Sequence, residues 1–570
     1  MASGFDTLPR QCPVLVVGGG PVGLVASLLL GAQGVDHVVI ERRTEAQPAP
    51  AAHVVNARSF EIMRSVGVDA DRLAEACQPA EEGAWVRWVT TLAGEELGCV
   101  PFERQGELDA LLAVTPTPLR NLSQHRLEPI LRRQVAALRS GVEWVGAEEC
   151  PTGVLSRVRD RATGRTTTVE SSWLVAADGA GSRVRKWLGI GMDGPDRLQD
   201  FVMIHARCDL SPLVGDRPAT LYWIMDPGCG GCLVSHGSGD EWVYMLEWDP
   251  GAEPLESFDD HRCRQRFLRA VGRNDVDVRV EHVSAWRMTS QIAGRYRSGR
   301  SFLVGDAAHR FPPTGGMGLN TGIADVHNLA WKLGAVHRGW APAAILDSYE
   351  AERKPVAVRN AAASLDNAMR LLEVPVACGA ATTRAESAAN FESTLASPSG
   401  RAGIRRAVEA QAGHFDMLGL HLGATYAPEE GPVVDDGSCP QTPADPVREY
   451  LPSGRPGSRL PHGWVERDGA AVSTLDLVPP DGFVLLTASP AWAAAGRACN
   501  GPVPLAVVEL GVDAVEPSGT WTGLSGIGAD GALVVRPDQH VAWRSTAGAA
   551  DLVGALGDVM AAMVGTTAPP

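Results

Sequence analysis

"VVGGGPVGL", Val16 to Leu24, decides how the amino terminus of this chain folds. The apolar run Val14 to Val17 precedes the glycines, as for a strand buried on both faces of a parallel sheet. Leu24 to Leu30 follows with helical spacing, and Val38 to Ile40 supplies the next strand of a βαβ unit. Gly18, Gly20 and Gly23 stand in G-x-G-x-x-G spacing. The first allows a tight turn, the second lets backbone approach a pyrophosphate, and the third lets helix and strand pack closely. Pro21 and Val22 open the helix, whose first N–H groups and dipole favour an anion. Glu41, at the end of the second strand, is placed to accept hydrogen bonds from a ribose. This loop is read as the cradle of a dinucleotide.

Two later segments repeat the logic of an apolar strand ending in glycine and a carboxylate. Trp173 to Ala176 runs into Asp178-Gly179, where "DGAGSRVR" sets Asp178, Ser182 and Arg185 so that carboxylate and guanidinium could support one another or touch phosphate and ribose. Phe302 to Val304 runs into "GDAAHRFPPTGGMGLN", Gly305 to Asn320. There Asp306 can receive ribityl or ribose hydroxyls, and "GGMGLN" opens a helix whose N–H groups point at a ligand edge. A reduced flavin carries negative charge near N1, which suits such donors. One extended FAD therefore explains both glycine loops, its ADP end on the first and its ring end on the second.

The length of 570 residues implies two or three domains, and 45% hydrophobic with 21% charged residues describes a globular enzyme. A formal net charge of -16 without a basic face argues against nucleic acid and against an anionic membrane surface. Val14 to Val35 is uncharged, but its glycines and Pro21 divide it into strand, loop and helix, so no membrane insertion is expected. Eleven scattered cysteines and no signal-like opening point to the cytoplasm. No metal site is expected; "CGGC", Cys229 to Cys232, lacks further ligands nearby.

Between Ile190 and Trp286 alternating aromatics predict antiparallel sheet, with Trp223, Met225, Tyr244 and Trp248 able to line one face. Helical spacing runs from Asp325 to about Leu372, and on to about Gly413. "GFVLLTA", "LAVVEL" and "GALVVRPDQHVAW" predict strands of a small terminal α/β domain that closes with a helix from Asp551 to Val564.

In order and spacing, these motifs, with "LDSYEAERKPVA" after them, resemble the single-component flavoprotein aromatic hydroxylases. "HRFPP" and "AHVVNARSFEI" resemble the phenol and chlorophenol branch, with p-hydroxybenzoate hydroxylase more distant. The resemblance implies an α/β chain. Residues 1–75, 101–189 and 286–372 would form a Rossmann-like FAD domain, and 76–100 with 190–285 an inserted substrate sheet. Residues 373–425 would be a helical linker and 426–570 a thioredoxin-like domain without Cys-x-x-Cys.

The activity it implies is hydroxylation of a phenolic or heteroaromatic ring by NADH or NADPH and oxygen, through a flavin C4a-hydroperoxide, in a homo-oligomer. A flavin oxidase or dehydrogenase and a non-catalytic scaffold are the alternatives; a halogenase would need Trp-x-Trp-x-Ile-Pro, which is absent.

Gly18, Gly20, Gly23, Glu41, Gln124, Asp178 and Asp306 match family FAD positions, and Asp178 and Arg185 belong to a motif that also bears on the nicotinamide. Ala51 stands where relatives have Arg or Lys, so Arg42 or Arg58 is expected to take over a pyrophosphate contact. Gly305, Pro313, Gly316, Gly318, Leu319 and Asn320 would border the flavin ring. Pro312, Trp223, Met225, Tyr244 and Trp286 would line a dry substrate pocket. A phenol, with a pKa near 10, needs a base. His53 aligns with a substrate-facing aspartate of the phenol hydroxylases, which makes it either that base, a hydrogen-bond relay, or a histidine packed on FAD. His309 follows Gly-Asp and is assigned a structural or flavin-side role.

Overall fold

The first strand extends further than its apolar run, Gln11–Val17, and every residue from Val14 to Val17 is buried. In this computed structural model, which describes residues 4–103, 107–237 and 239–565, that strand is central to the largest sheet. Across it the order is Arg297–Ser298, Ser301–Leu303, Thr166–Ala176, Gln11–Val17, His37–Glu41, Leu138–Ser140, and two antiparallel strands extend Thr166–Ala176. The four strands from Ser301–Leu303 to His37–Glu41 run parallel, so their carboxyl ends share one edge. That edge gathers the glycine loop, Asp178 and Asp306, as the strand-end rule for open α/β sheets requires.

A second, seven-stranded sheet stands over that edge. Its order is Arg279–Met288, Gln199–Arg207, Glu241–Glu247, Gly231–Ser235, Leu221–Ile224, Trp85–Val89, Glu96–Pro101. The sheet is not wholly antiparallel, because Trp85–Val89 pairs parallel to Leu221–Ile224. Its back is covered by the helix Asp260–Val271, capped by Asp259, which the alternating aromatics masked in the sequence. The helices Arg384–Ala396 and Pro398–Glu409 occupy the segment expected to be helical, and the second packs on the edge strand Glu96–Pro101. No helix among the described residues is long and apolar enough to cross a membrane.

The terminal domain has the order Leu505–Glu509, Phe483–Thr487, Ala532–Val535, Val541–Ser545, parallel in the first pair and antiparallel in the others, and closes with the helix Leu552–Val564. Its hairpin "RPDQH" is welded to the FAD domain by buried charge. Arg536 bridges Glu352 at 2.5 and 2.9 Å and Asp538 at 3.0 and 2.6 Å, while Lys332 holds Glu352 at 2.6 Å. Arg58, expected at a pyrophosphate, is spent here instead: it donates to Gln539 Oε1 at 2.6 Å and to the Asp538 carbonyl at 2.8 Å. A guanidinium buried with Glu61 3.0 Å away has its charge answered within the protein.

Arg536→Leu leaves Glu352 with Lys332 and Asn328, and Asp538 with Asn328 and His540. It is expected to cost about 3–5 kcal/mol and to lower the midpoint of a far-UV circular dichroism melt by several degrees; an unchanged midpoint would show that this network contributes no stability.

Candidate active site

The glycine loop is shaped by collisions it avoids. A Cβ on Gly18 would strike the Ala177 carbonyl, and one on Gly23 would strike the Gly18 carbonyl; Gly18 also has a φ of 112°. A Cβ on Gly20 would meet nothing within 4 Å. Packing therefore demands the first and third glycines, whereas the second faces open space. The helix Pro21–Ala32 starts there with no side-chain cap, so the Val22 and Gly23 N–H groups await an acceptor. Glu41 turns into the loop, accepting from Gly19 N at 2.7 Å and Arg43 N at 2.8 Å. Arg42 is exposed.

The two distant loops meet. Gly305, at a φ of 56°, packs so closely that a Cβ there would stand 3.2 Å from Val22 of the first loop. Asp306 is accessible at the mouth of this junction, and its carboxylate makes no hydrogen bond to a described residue. Desolvation by the surrounding protein raises its pKa, against the pull of His309 and Arg310. The helix Met317–His337 begins after Gly316, again without a side-chain cap, and a Cβ on Gly318 would meet nothing within 4 Å. Leu319 lies in its part-buried first turn, while Pro312 is buried and Pro313 exposed. Asn320 is a tie rather than a free ligand group: it accepts from Asn56 N at 3.0 Å and Ser59 Oγ at 2.7 Å, and donates to the Val54 and Gly316 carbonyls.

Asp178 and Arg185 do not pair with each other. Asp178 caps the short helix Arg183–Trp187 through Ser182 Oγ at 2.5 Å and Arg183 N at 2.7 Å. Arg185 donates to the Ala307 carbonyl at 3.1 Å and so braces the Gly305–Ala307 turn. Gln124 leads the helix Gln124–Gln134, with its backbone N–H on the Ala52 carbonyl at 2.7 Å and its amide on Glu128 at 2.7 Å. His309 is fully buried, bonded to Asp325 at 2.7 Å and stacked on Phe311.

His53 lies between these loops and the second sheet, because Asn320 fixes Val54 and the Leu122 N–H binds the His53 carbonyl at 2.7 Å. Its Nδ1 stands 3.0 Å from Asn121 Oδ1. The Asn121 amide can point only one way, since its nitrogen donates to Gln78 Oε1 at 2.6 Å and to the Ser235 carbonyl at 3.0 Å. Oδ1 therefore faces His53, the proton sits on Nδ1, and the neutral ring keeps its lone pair on Nε2. Burial lowers the His53 pKa from 6.5, with the Asn121 bond opposing. Sequence reasoning missed Asn121 and Gln78. Only Gln124 was singled out in that region, and nothing local ties Asn121 to a residue 68 positions earlier.

The sheet face towards His53 carries Trp223 and Met225, which share an apolar cluster with Val54 and Trp88. The buried Trp223 indole N–H has no partner among the described residues. Trp286 leans on Phe201 on the same face, with ring centroids 5.5 Å apart. Tyr244 does not join them. It pairs with Ile204, faces the covering helix against Phe267, and donates its hydroxyl to the Cys229 carbonyl at 2.7 Å. The alternation that puts Met245 on the inner face puts Tyr244 on the outer one.

Residues 11–364 match the FAD binding domain family, and residues 453–566 match the family described as aromatic-ring hydroxylase, C-terminal. The chain belongs to the FAD-dependent aromatic-ring hydroxylases. It is 33% identical to 2,4-dichlorophenol 6-monooxygenase of Cupriavidus pinatubonensis over 98% of this chain and 97% of that one. Tetracenomycin B2 monooxygenase-dioxygenase of Streptomyces olivaceus is also 33% identical, over 98% and 99%. The flavin-dependent monooxygenase PieE, solved with FAD and substrate, superposes with a TM-score of 0.90 at 35% identity, covering 98% of this chain and 99% of that one.

The site fits the cofactor of this hydroxylase family. Two uncapped helix starts with open space above Gly20 and Gly318 offer N–H groups to an extended anionic molecule, and the unpartnered Asp306 carboxylate awaits hydroxyl donors. Asp306→Ala removes no protein hydrogen bond, so the fold is expected to stay intact while FAD affinity drops about 10- to 100-fold, the loss of a charge-assisted hydrogen bond. The flavin-to-protein absorbance ratio after dialysis measures this, and full flavin retention would remove Asp306 from the cofactor site.

Proposed function

We propose that this aromatic-ring monooxygenase takes a phenolic or hydroxylated heteroaromatic ring and uses His53 as its base. The observation that carries this reading is the Asn121-fixed tautomer, which leaves the His53 Nε2 lone pair as the unpaired acceptor of the ring. Trp223 and Met225 form an apolar wall beside it, and the free Trp223 N–H suits a ring oxygen. Of two relatives, one is named for 2,4-dichlorophenol, a phenol, and the other for tetracenomycin B2.

Gly18, Gly20, Gly23, Glu41, Gln124, Asp306, Gly316 and Gly318 would hold FAD, which when bound accepts hydride from NADH or NADPH and activates oxygen. The chain's own residues do the rest. Apolar side chains exclude water from the reacting ring, and His53 takes the phenolic proton at Nε2, making the ring carbon more nucleophilic. The reading of all eleven cysteines as free thiols supports a cytoplasmic enzyme, and we assign assembly as a homo-oligomer, which sedimentation tests.

NAD(P)H consumption is expected to rise with simple phenols, hydroxypyridines and polycyclic phenols, with little hydrogen peroxide for the best substrate. Consumption that ends entirely in peroxide across the panel would overturn the substrate reading.

The base must be unprotonated. Because burial lowers the His53 pKa, activity should persist as pH falls to 6.5 and be lost only below it. His53→Ala should abolish that acid limb and slow turnover about 10²–10⁴-fold with flavin content unchanged. Asn121→Asp should move the limb upward, because a carboxylate stabilises the imidazolium. Identical pH profiles in all three proteins would remove His53 as base.

A further inference from the structure

Resting on the assignment of a homo-oligomer, we propose that two copies of this chain dock through the outer face of the helix Ser348–Arg370 and its continuation Glu373–Ala377. The two helices lie antiparallel about a two-fold axis beside Asn367. The helix does not stop between its two segments. Leu371, at φ -56° and ψ -26°, and Leu372, at φ -69° and ψ -17°, keep right-handed helical backbone.

This helix is amphipathic in the inverted sense. A surface helix turns its apolar side to the core and its polar side to water. Here Glu352, Arg353, Asn360, Ser364 and Asn367 are buried, and the line facing water reads Val358, Ala362, Leu365, Met369, Leu372, Val376. Val358, Met369, Leu372 and Val376 are 51%, 60%, 51% and 68% exposed, Ala362 is exposed and Leu365 is half-buried. Four of the twelve large hydrophobic residues that the described chain leaves exposed therefore stand on one line. Single exposed hydrophobics are ordinary, whereas a contiguous row marks a contact surface. The row is about 27 Å long by helical rise. The residues of this chain outside the described ones cannot cover it, because they come in runs of five or fewer and five residues reach about 17 Å.

The spacing of the row selects its occupant. Steps of four, three, four, three and four residues are the alternation of a coiled-coil seam, which takes a second helix. An antiparallel copy sets Leu365 against the partner's Met369, Ala362 against the partner's Leu372 and Val358 against the partner's Val376. The symmetry makes each contact twice. Charge agrees with the same register. Asp366 and Arg370, paired at 2.8 Å within the helix and 63% and 54% exposed, stand beside the axis. The two-fold brings each Asp366 towards the partner's Arg370 and closes an alternating ring of four charges, whereas a parallel pair would put like charges level.

Both helices are held by the fold before they meet, so docking costs no helix formation. One seam of this length lies at the small end of specific interfaces, and the dimer is expected to be reversible in the micromolar range. The opposite side of the helix serves the site. Leu371 and Val374 pack in the cluster of Trp223 and Met225, and Thr314 Oγ1 donates to the Ser364 carbonyl at 2.5 Å. The seam thus lies on the back of the wall that borders the substrate.

The test is sedimentation velocity of the FAD-loaded enzyme from about 1 to about 100 µM. Salt of about 0.15 M screens the repulsion between two copies of net charge -16. Wild type is expected to pass from monomer to dimer across this range. Met369→Lys and Leu372→Lys should raise the dissociation constant at least about 100-fold with flavin content and circular dichroism unchanged, because both side chains face water in the single copy. Asp366→Arg should weaken the dimer, and Asp366→Arg combined with Arg370→Asp should restore it, which general surface damage would not do. Leu365→Cys combined with Met369→Cys, oxidised in dilute solution, should give a covalent dimer that wild type and the single variants do not. Unchanged association in both lysine variants overturns the seam and leaves the homo-oligomer standing. Lack of both rescue and cross-link overturns the antiparallel register. Wild type that stays monomeric to about 100 µM overturns the homo-oligomer and the seam together, and flotation of that monomer with phosphatidylcholine vesicles, lost in Met369→Lys, would give the row to a bilayer instead.

Discussion

Asp325 is the constraint on which the cofactor half of the site depends. Its carboxylate is fully buried and accepts from Gly305 N at 3.2 Å, His309 Nε2 at 2.7 Å and Arg353 Nε at 3.0 Å. Burial alone would raise its pKa, but His309 and Arg353 pull it below the ordinary carboxylate value, so it stays charged. A buried charge is tolerated only when it is paired, and here the pairing does positional work. One oxygen sets the turn that presents Asp306. The other holds Arg353, which reaches Tyr426 at 3.2 Å, so the helix, the Gly305 turn and the segment leading to the terminal domain share one anchor.

What was legible in the sequence is what local spacing dictates. The strand, glycine loop and helix around Gly18 to Gly23 follow from periodicity and from glycines whose Cβ atoms would collide, and the terminal strands, though not their order in the sheet, follow from apolar runs broken by turns. The convergence of Val22 and Gly305, nearly three hundred positions apart, was also legible, because both loops end parallel strands at the same edge.

The rest depended on facts of pairing that no window of sequence contains. Tyr244 and Met245 are neighbours in a run of aromatics, and only the register of Glu241–Glu247 against Gln199–Arg207 decides which one faces the site. Arg58 sits where an anion contact was plausible, but the Asp538–Gln539 hairpin arrives from the terminal domain and takes its donors. The helix Asp260–Val271 escaped notice because its polar, arginine-rich face outweighs the few apolar residues that bury it. Asn121 carries no motif. Its meaning lies in the two acceptors, Gln78 and Ser235, that orient it.

The choice of an amide rather than a carboxylate behind His53 has an energetic consequence. A carboxylate would hold the ring as an imidazolium, already loaded and unable to take a proton. Asn121 orients the ring without charging it, and burial then keeps its pKa below 6.5. Such a base is thermodynamically poor against a phenol whose pKa is near 10: a gap of more than about 3 units disfavours the transferred state by more than about 4 kcal/mol. Two things can offset that. Donors such as the unpartnered Trp223 N–H can stabilise the phenolate, and removal of the proton to water replaces the weak base by the bulk pH as the final acceptor. A neutral, low-pKa histidine is therefore a gate rather than a sink, and a gate works only where the proton has somewhere further to go.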